Sequence, residues 1–225
     1  MSYHHVVPCG SVSHIEIRIV APGASDIRAA EGILNMKLTQ RVLDRPWEWR
    51  AHRYAGVHLP YVTPGERILD LGAGNCRVAR IINIQGMPTT AIDVADYNAT
   101  SMPLIVYDGV RIPFDDGTFD VVIMNAVLHH CADPDAVLRE AARVSRARLH
   151  VLEELYSNQF DLAFLKANDF LTNRPFGNDT PFFFRTAPQW RHTFSALKLK
   201  IVEEQAMRTI FKLAKLRLFV LDKRV

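Results

Sequence analysis

The length and composition of the chain limit what it can be. Its 225 residues, of which 48% are hydrophobic, suffice for one large core. The 27 basic and 24 acidic residues leave a formal net charge of +3, so charge does not indicate a nucleic-acid partner or a membrane surface. Three cysteines, Cys9, Cys76 and Cys131, form no CxxC pair, which argues against a disulfide framework. We expect a cytoplasmic chain without an export signal or a membrane span.

The first quarter of the chain predicts an arm and a helical cap. Apolar residues alternate from Ile15 to Ile19, which is typical of a strand or an extended arm. Helical spacing then runs from Ser25 to Val42, and Pro46 suits the first turn of a second helix. The aromatic residues of this second helix are a candidate cover for a ligand: Trp47, Trp49 and Tyr54.

Strand and helix patterns alternate from residue 61 onward. The apolar runs predict strands over residues 67–71, 89–93, 104–108, 119–124, 148–152, 199–203 and 216–221. Helical spacing predicts helices over residues 78–86 and 134–144, the second capped by Asp133, and a third helix after a capping box at Thr186 and Gln189. Such alternation is typical of a doubly wound α/β fold with a mostly parallel sheet. Only fifteen positions separate Asp93 from Asp108, so we predict a shortened helix between these two strands.

A glycine loop joins the first strand to the first helix of this alternation. It reads Asp70-Leu71-Gly72-Ala73-Gly74-Asn75-Cys76, and Asp93 ends the next strand twenty-three residues after Asp70. Glycines at a helix N-terminus let a ligand approach the backbone, and an acid at the end of the second strand can accept hydrogen bonds from ribose hydroxyls. The pattern predicts a nucleotide-like ligand. The alternative is a plain tight turn, with Asp93 and Asp108 as turn residues.

The order DxGxG resembles motif I of class I S-adenosylmethionine-dependent methyltransferases, of the type 11-like kind. The similarity continues through residues 106–109, 111–130 and 132–146, and so covers roughly residues 66–154. The resemblance implies a seven-stranded Rossmann-like sheet whose last two strands are antiparallel, and S-adenosylmethionine as cofactor. It also implies the cofactor-binding residues: Asp70, Gly72, Ala73, Gly74, Asp93, Val94, Asp108, Gly109 and Asn125.

The resemblance also implies what each of these residues does. Asp70 would favour the ammonium group of the cofactor, Asp93 its ribose, Asp108 and the amide of Gly109 its adenine, and Asn125 its methionine part. Cys76 stands where the family has a third glycine, and we expect it to crowd the methionine end.

Two other functions stay open at this point. One is a catalytically inert methyltransferase-like binding protein, and the other, less favoured, is a nicotinamide-dependent oxidoreductase, which uses the same topology but needs a third glycine.

Candidate catalytic residues follow the fourth and fifth predicted strands. His129, His130 and Glu153 lie at the carboxyl edge of the sheet, where one of them is placed to accept a proton. The alternative, which we favour for the histidines, is that they pack or cap before the next helix. Cys131 beside them resembles a metal cluster only in composition, because adjacent residues do not easily converge on one ion, so we predict no metal. Of Glu153 and Glu154, only one is expected to face the site.

The acceptor of the methyl group is predicted to be a small molecule. The chain has no Asn-Pro-Pro-Tyr-like tetrapeptide after the fourth strand, and family members with that motif methylate amide or ring nitrogens of proteins or nucleic acids. Oxygen, nitrogen and carbon acceptors all remain open, no nucleic-acid partner is expected, and nothing indicates the oligomeric state.

We predict one domain over residues 1–225, divided into four parts. Residues 1–60 form the arm and helical cap, 61–154 the cofactor-binding core, and 186–225 the last helix with the antiparallel strands. Residues 155–185 are rich in phenylalanine and are interpreted as a substrate lid made of a helix and an aromatic turn; the alternative is that they extend the core.

Overall fold

The computed structural model of the chain describes residues 44–173, 182–207 and 215–223. The fold presented below is that of the compact unit Pro46–Val225. The predicted arm at residues 15–19, the predicted helix at residues 25–42 and the predicted aromatic turn around Phe176 lie outside the described residues. No helix in the described part of the chain is long and apolar enough to cross a membrane.

Seven strands form a single sheet, as predicted. The order is β3-β2-β1-β4-β5-β7-β6. All neighbours pair in parallel except β7, which runs antiparallel to both β5 and β6. The strands are β1 (Ile68–Leu71), β2 (Thr89–Asp93), β3 (Leu104–Val106), β4 (Phe119–Asn125), β5 (Ser145–Leu155), β6 (Lys200–Met207) and β7 (Lys215–Asp222).

Helices cover both faces of this sheet. They are α1 (residues 44–58), α2 (Arg77–Ile84), α3 (Pro134–Val144), α4 (Gln159–Asn173) and α5 (Ala187–Ala196). The predicted caps are present: the Asp133 side chain accepts a hydrogen bond from the Ala136 amide, and Thr186 and Gln189 form a reciprocal capping box. Short 3₁₀ turns lie at Leu59–Tyr61 and Leu128–His130.

The central strands are buried on both faces, as expected for a parallel sheet between helical layers. One face packs against α3 and α5 through a large cluster that includes Leu69, Val122, Leu149, Leu138, Trp190 and Phe194. The other face packs against α1 and α2 through Ile68, Val121, Ile123, Ala55 and Ile82. The carboxyl ends of β1, β2, β4 and β5 therefore meet at one well-supported edge.

Three details differ from the sequence prediction. No helix of any length forms between β2 and β3: residues 94–103 are a loop, held by Asn98, whose amide nitrogen donates to the Met102 carbonyl at 2.6 Å. So short a connection leaves no room for a helix and two turns. β3 ends at Val106 instead of Asp108, and β5 extends through Glu153 and Glu154 to Leu155 because β7 pairs with it along that length.

Candidate functional site

The glycine loop lies where β1 meets α2, and its two glycines serve different purposes. Gly72 has φ +74°, and a Cβ there would lie 2.3 Å from Cγ2 of Val127, so this glycine is needed for packing within the protein. Gly74 has φ +51°, and a Cβ there would meet nothing within 4 Å. The space beside Gly74 is therefore open to a ligand. Ala73 between them is buried.

Cys76 takes the left-handed backbone conformation that a glycine would favour, with φ 59°, immediately before α2. Its side chain is fully buried and packs in a cluster with Ala73, Ala79 and Ala91. The Cys76 Sγ lies 3.8 Å from the Gly74 carbonyl oxygen, and the crowding of the cofactor by Cys76 stays a prediction.

Asp93 at the end of β2 anchors the glycine loop. Its Oδ2 accepts the Gly74 N–H at 2.7 Å, and its Oδ1 accepts the Val94 N–H at 2.7 Å. Burial raises the pKa of this carboxyl, and the backbone donors oppose that rise. Each oxygen keeps a further lone pair, so the carboxylate can still accept hydrogen bonds from a ligand.

Asp70 and Asn125 lie side by side at the ends of β1 and β4. The Asn125 Nδ2 donates to Asp70 Oδ1 at 3.4 Å, while Asp70 Oδ2 is buried and has no hydrogen-bond partner among the described residues. Burial raises the pKa of Asp70 to about 7. A buried carboxylate oxygen without a donor is costly, and a cationic ligand group would satisfy it.

Two histidines that the sequence analysis did not select hold the Asn125 side chain through a series of hydrogen bonds. His58 Nε2 lies 2.7 Å from Asn125 Oδ1, and His58 Nδ1 lies 3.3 Å from His150 Nδ1. Burial lowers the pKa of both histidines, which are therefore neutral. The partners assign the protons: His150 donates to His58, and His58 donates to Asn125. The signal that the sequence offered for these buried hydrogen bonds was His150, a histidine within the apolar predicted strand 148–152.

The ends of β2 and β3 form the outer wall of the site. The Tyr107 N–H donates to the Asp93 carbonyl at 3.0 Å, which brings the residues after the two strands together. Asp108 is exposed, and its Oδ1 accepts the amides of Val110 and Arg111, which lower the pKa of the carboxyl. A Cβ on Gly109 would lie 3.0 Å from Val94 Cγ1. Asp108 thus initiates a turn at the rim.

The candidate catalytic residues form a buried cluster at the ends of β4 and β5. His129 Nδ1 lies 2.7 Å from Glu153 Oε2, and Glu153 Oε1 accepts the Leu128 N–H at 2.7 Å. The His129 ring stacks on Phe184 at 4.6 Å. Burial opposes a charge on His129, but the carboxylates of Glu153 and Asp169 raise its pKa to about 10. Glu153 is the glutamate that faces the histidines.

His130 and Asp169 complete this cluster. Burial and the adjacent His129 lower the pKa of His130 to about 4, and its side chain is 27% exposed. Asp169 comes from the buried side of α4, and its Oδ1 lies 3.8 Å from His129 Nε2 and 3.7 Å from His130 Nε2. The sequence analysis included residue 169 only within the predicted lid, residues 155–185; the signal was an acid four residues after Leu165, on the same side of a helix.

Cys131, which the sequence analysis set beside these histidines, turns away from them. Its Sγ contacts the Val127 carbonyl at 3.4 Å.

The aromatic side chains of α1 already have cationic partners. The Arg50 guanidinium lies 4.9 Å from the Tyr54 ring centre and 5.8 Å from that of Trp47, and the Arg53 guanidinium lies 4.8 Å from that of Trp49. Trp47 and Trp49 are exposed, whereas Tyr54 is buried against β5 and β7. That these rings cover the sulfonium group of a bound cofactor stays a prediction.

Comparison with known sequences identifies the central part of the chain. Residues 69–151 match the sequence model of a family described as "Methyltransferase domain". A demethylmenaquinone methyltransferase of Mycolicibacterium paratuberculosis is 35% identical over 127 residues, which are 52% of this chain and 53% of that protein. The chain thus spans about half the length of the curated relatives that it matches.

Solved structures extend the comparison to the fold. The 1,6-didemethyltoxoflavin-N1-methyltransferase of Burkholderia thailandensis, with S-adenosylhomocysteine bound, has TM-score 0.61 and 16% identity, over 94% of this chain and 98% of that one. The magnesium protoporphyrin IX methyltransferase of Synechocystis PCC 6803 has TM-score 0.58 and 15% identity, over 82% and 86%. At such identity the likeness concerns the fold alone. Residues 69–151 are thus similar in sequence to a methyltransferase domain, and the fold of the chain is that of solved methyltransferases.

Proposed function

We propose that this protein transfers the methyl group of S-adenosylmethionine to a small-molecule acceptor. One observation carries the proposal: Asp70, the Gly74 backbone, Asp93 and Asn125 converge at the carboxyl ends of β1, β2 and β4. This edge is where open α/β sheets bind their ligands. All four residues lie within the segment 69–151 that matches the methyltransferase family model, which favours S-adenosylmethionine over a dinucleotide.

The residues present fit this cofactor. The unpartnered Asp70 Oδ2 can accept a hydrogen bond from the cofactor's ammonium group, and the space next to Gly74 leaves room for a chain along the loop. Asp93 can accept ribose hydroxyls in addition to its two amides. Val94 and Gly109 lie close together at the rim, and in this proposal they flank the adenine ring. In this assignment Asp108 shapes the rim through its turn.

The chemistry needs positioning more than a strong catalytic group. S-adenosylmethionine supplies a methyl group on a positively charged sulfur. The protein's residues hold the cofactor, exclude water and orient the nucleophile for attack in line with the sulfur bond. His130 is the partly exposed member of the cluster and is neutral, so it is the candidate to meet the acceptor and remove a proton. Glu153 orients the ring of His129, which lies against the ring of His130.

The acceptor binds, in this proposal, between the sheet edge and α4. The curated relatives act on demethylmenaquinone, and the structural neighbour from Burkholderia thailandensis carries the name of an N1-methyltransferase of a toxoflavin precursor. Both names denote compounds that contain a ring. We therefore infer a small ring compound as acceptor and leave the methylated atom to experiment.

The test begins with the cofactor. Calorimetric titration of the wild-type chain is expected to show one binding site for S-adenosylmethionine and for S-adenosylhomocysteine, and no site for nicotinamide dinucleotides. Transfer is then assayed with methyl-labelled cofactor and a panel of quinone and nitrogen-heterocycle acceptors. Binding of a dinucleotide with no binding of S-adenosylmethionine would overturn the proposal in favour of an oxidoreductase. Cofactor binding with no transfer to cell-extract metabolites would point to the inert binding protein.

A further inference from the structure

The cluster of His129, His130 and Asp169 holds more ligating atoms than methyl transfer requires. One atom from each residue lies within 4.8 Å of the other two. The two histidines follow β4, whereas Asp169 arrives from α4, so the sheet edge and the proposed lid helix meet in this cluster. We propose that these three residues bind one divalent transition-metal ion of the zinc type.

The two distances to Asp169 suit such an ion after a small contraction, and the ligand atoms of the two histidines lie within 4.8 Å of each other. Two ligands of a tetrahedral zinc lie about 3.4 Å apart, since each zinc–ligand distance is about 2.0–2.2 Å. Asp169 Oδ1 lies 3.8 Å from His129 Nε2 and 3.7 Å from His130 Nε2, a few tenths of an ångström more. Two imidazoles and a carboxylate are the donor set that zinc and its first-row neighbours prefer over magnesium or calcium.

A second observation points to a metal independently. Metal-bound histidines usually donate their other ring N–H to a carboxylate, which fixes the ring and strengthens the ligand. His129 does so: its Nδ1 lies 2.7 Å from Glu153 Oε2, and the other oxygen of Glu153 is held by the Leu128 amide. His129 is also locked by the stacked Phe184 ring. Its Nε2 is thereby directed towards Asp169.

The charges of the cluster favour a cation there. The side chains of Glu153 and Asp169 are 0% and 7% exposed, and two buried carboxylates need positive charge close by. A protonated His129 supplies one charge, whereas a divalent ion supplies two and uses both histidines in their neutral form. His130 is 27% exposed, so an ion and a water or acceptor oxygen can reach the site from solvent.

This proposal replaces the prediction of no metal. That prediction weighed Cys131 with the two histidines, and Cys131 takes no part in the cluster. Three protein ligands leave the fourth position of a tetrahedral ion open to a water or an acceptor oxygen. Metal binding itself does not depend on the proposed function, but a role for the metal in binding an acceptor oxygen rests on it. With the ion bound, His130 is a ligand and no longer a base, and the metal would lower the pKa of a bound acceptor hydroxyl instead.

The experiment measures zinc alone. Tag-free protein is treated with a chelator, dialysed and titrated with zinc chloride by calorimetry, with magnesium chloride in parallel. We expect one zinc per chain with micromolar or tighter affinity and no magnesium binding. His130→Ala and Asp169→Asn are each expected to weaken zinc binding by at least thirtyfold, and Glu153→Gln by roughly tenfold to a hundredfold. His192→Ala removes an exposed histidine of α5 and should leave binding unchanged.

The outcomes separate the proposals. Melting curves of each variant verify that it folds, and His130→Ala is the mildest change because its ring is partly exposed. Failure of the wild type to bind zinc, or equal binding by His130→Ala, Asp169→Asn and His192→Ala, would overturn the metal site and leave a protonated His129 as the neutralising charge. Titration of S-adenosylmethionine into the same samples tests the proposed function separately, since its binding residues lie outside the cluster.

Discussion

Asp93 has a double role at the scale of single residues. Its two oxygens hold the amides of Gly74 and Val94, which fixes the loop before any ligand arrives. A cofactor ribose would add hydrogen bonds to the same carboxylate. The sequence left two interpretations of Asp93, as a turn residue and as a ligand-binding residue, and the two are compatible in this structure.

Replacing this carboxylate tests its contact with the cofactor. Asp93→Ala is expected to weaken S-adenosylmethionine binding by about 2 kcal/mol or more, because the ribose loses a charged acceptor and Gly74 loses its anchor. Asp93→Asn keeps the shape and one acceptor oxygen and should lose less. Calorimetry on variants with normal melting curves measures both. Unchanged affinity in Asp93→Ala would mean that Asp93 serves the turn alone.

Asp70 predicts a proton linked to cofactor binding. Its pKa of about 7 means that the free protein carries a largely protonated Asp70 at pH 6.5. A bound ammonium group favours the charged carboxylate, so binding lowers this pKa, releases a proton and becomes tighter as the pH rises from 6 to 7.5.

Calorimetry at pH 6.5 in buffers of different ionisation enthalpy measures the release, expected to be roughly half a proton or more. Asp70→Asn is the matched control and should abolish the buffer dependence. A buffer dependence that persists in this variant would assign the proton to another group.

At the scale of elements, the segment from Phe182 to Arg185 divides into an exposed part and a structural part. Phe183 is exposed, and its N–H donates to the His129 carbonyl at 3.0 Å. Arg185 lies 2.7 Å from Asp135 on α3 and from Thr193 Oγ1 on α5, and its guanidinium lies 4.8 Å from the Trp190 ring centre. Arg185 thus makes the contacts of a core residue, whereas the lid stays a prediction that the exposed Phe183 can test.

Two alanine substitutions separate these parts. Arg185→Ala is expected to lower the free energy of unfolding by about 2 kcal/mol, because it leaves Asp135 and Thr193 without their shared donor. Phe183→Ala is expected to change it by less than about 0.5 kcal/mol, as for exposed positions. Denaturant titration measures both. If Phe183→Ala also leaves transfer to a confirmed acceptor unchanged, Phe183 has no part in a lid.

At the scale of the whole molecule, local patterns predicted the fold well. β2 agrees residue for residue, and the caps of α3 and α5 lie where Asp133 and Thr186 indicated, because strand periodicity and capping are local properties of the chain. The glycine loop and Asp93 were found for the same reason: their spacing belongs to one strand–helix–strand unit.

The parts that escaped prediction depend on contacts between distant segments. Asp169 reaches the histidines only because α4 folds back over the sheet edge. His58 reaches Asn125 only because α1 packs, together with α2, on one face of the sheet. The prediction of a shortened helix before β3 is wrong for a local reason. The sequence analysis recognised that the connection is short, but a turn held by Asn98 joins the two strands without a helix.

The position of β7 has a consequence for how the protein is made. β7 is the last described strand along the chain, yet it lies between β5 and β6 and contributes Leu218, Phe219, Val220 and Leu221 to the interior. On the ribosome, β5 and β6 emerge before the strand that joins them, so both keep an unpaired edge until residue 222 has left the exit tunnel. The nascent protein thus depends on β7 to close the sheet, and stop codons shortly before β7 should yield chains that are captured by chaperones instead of folding.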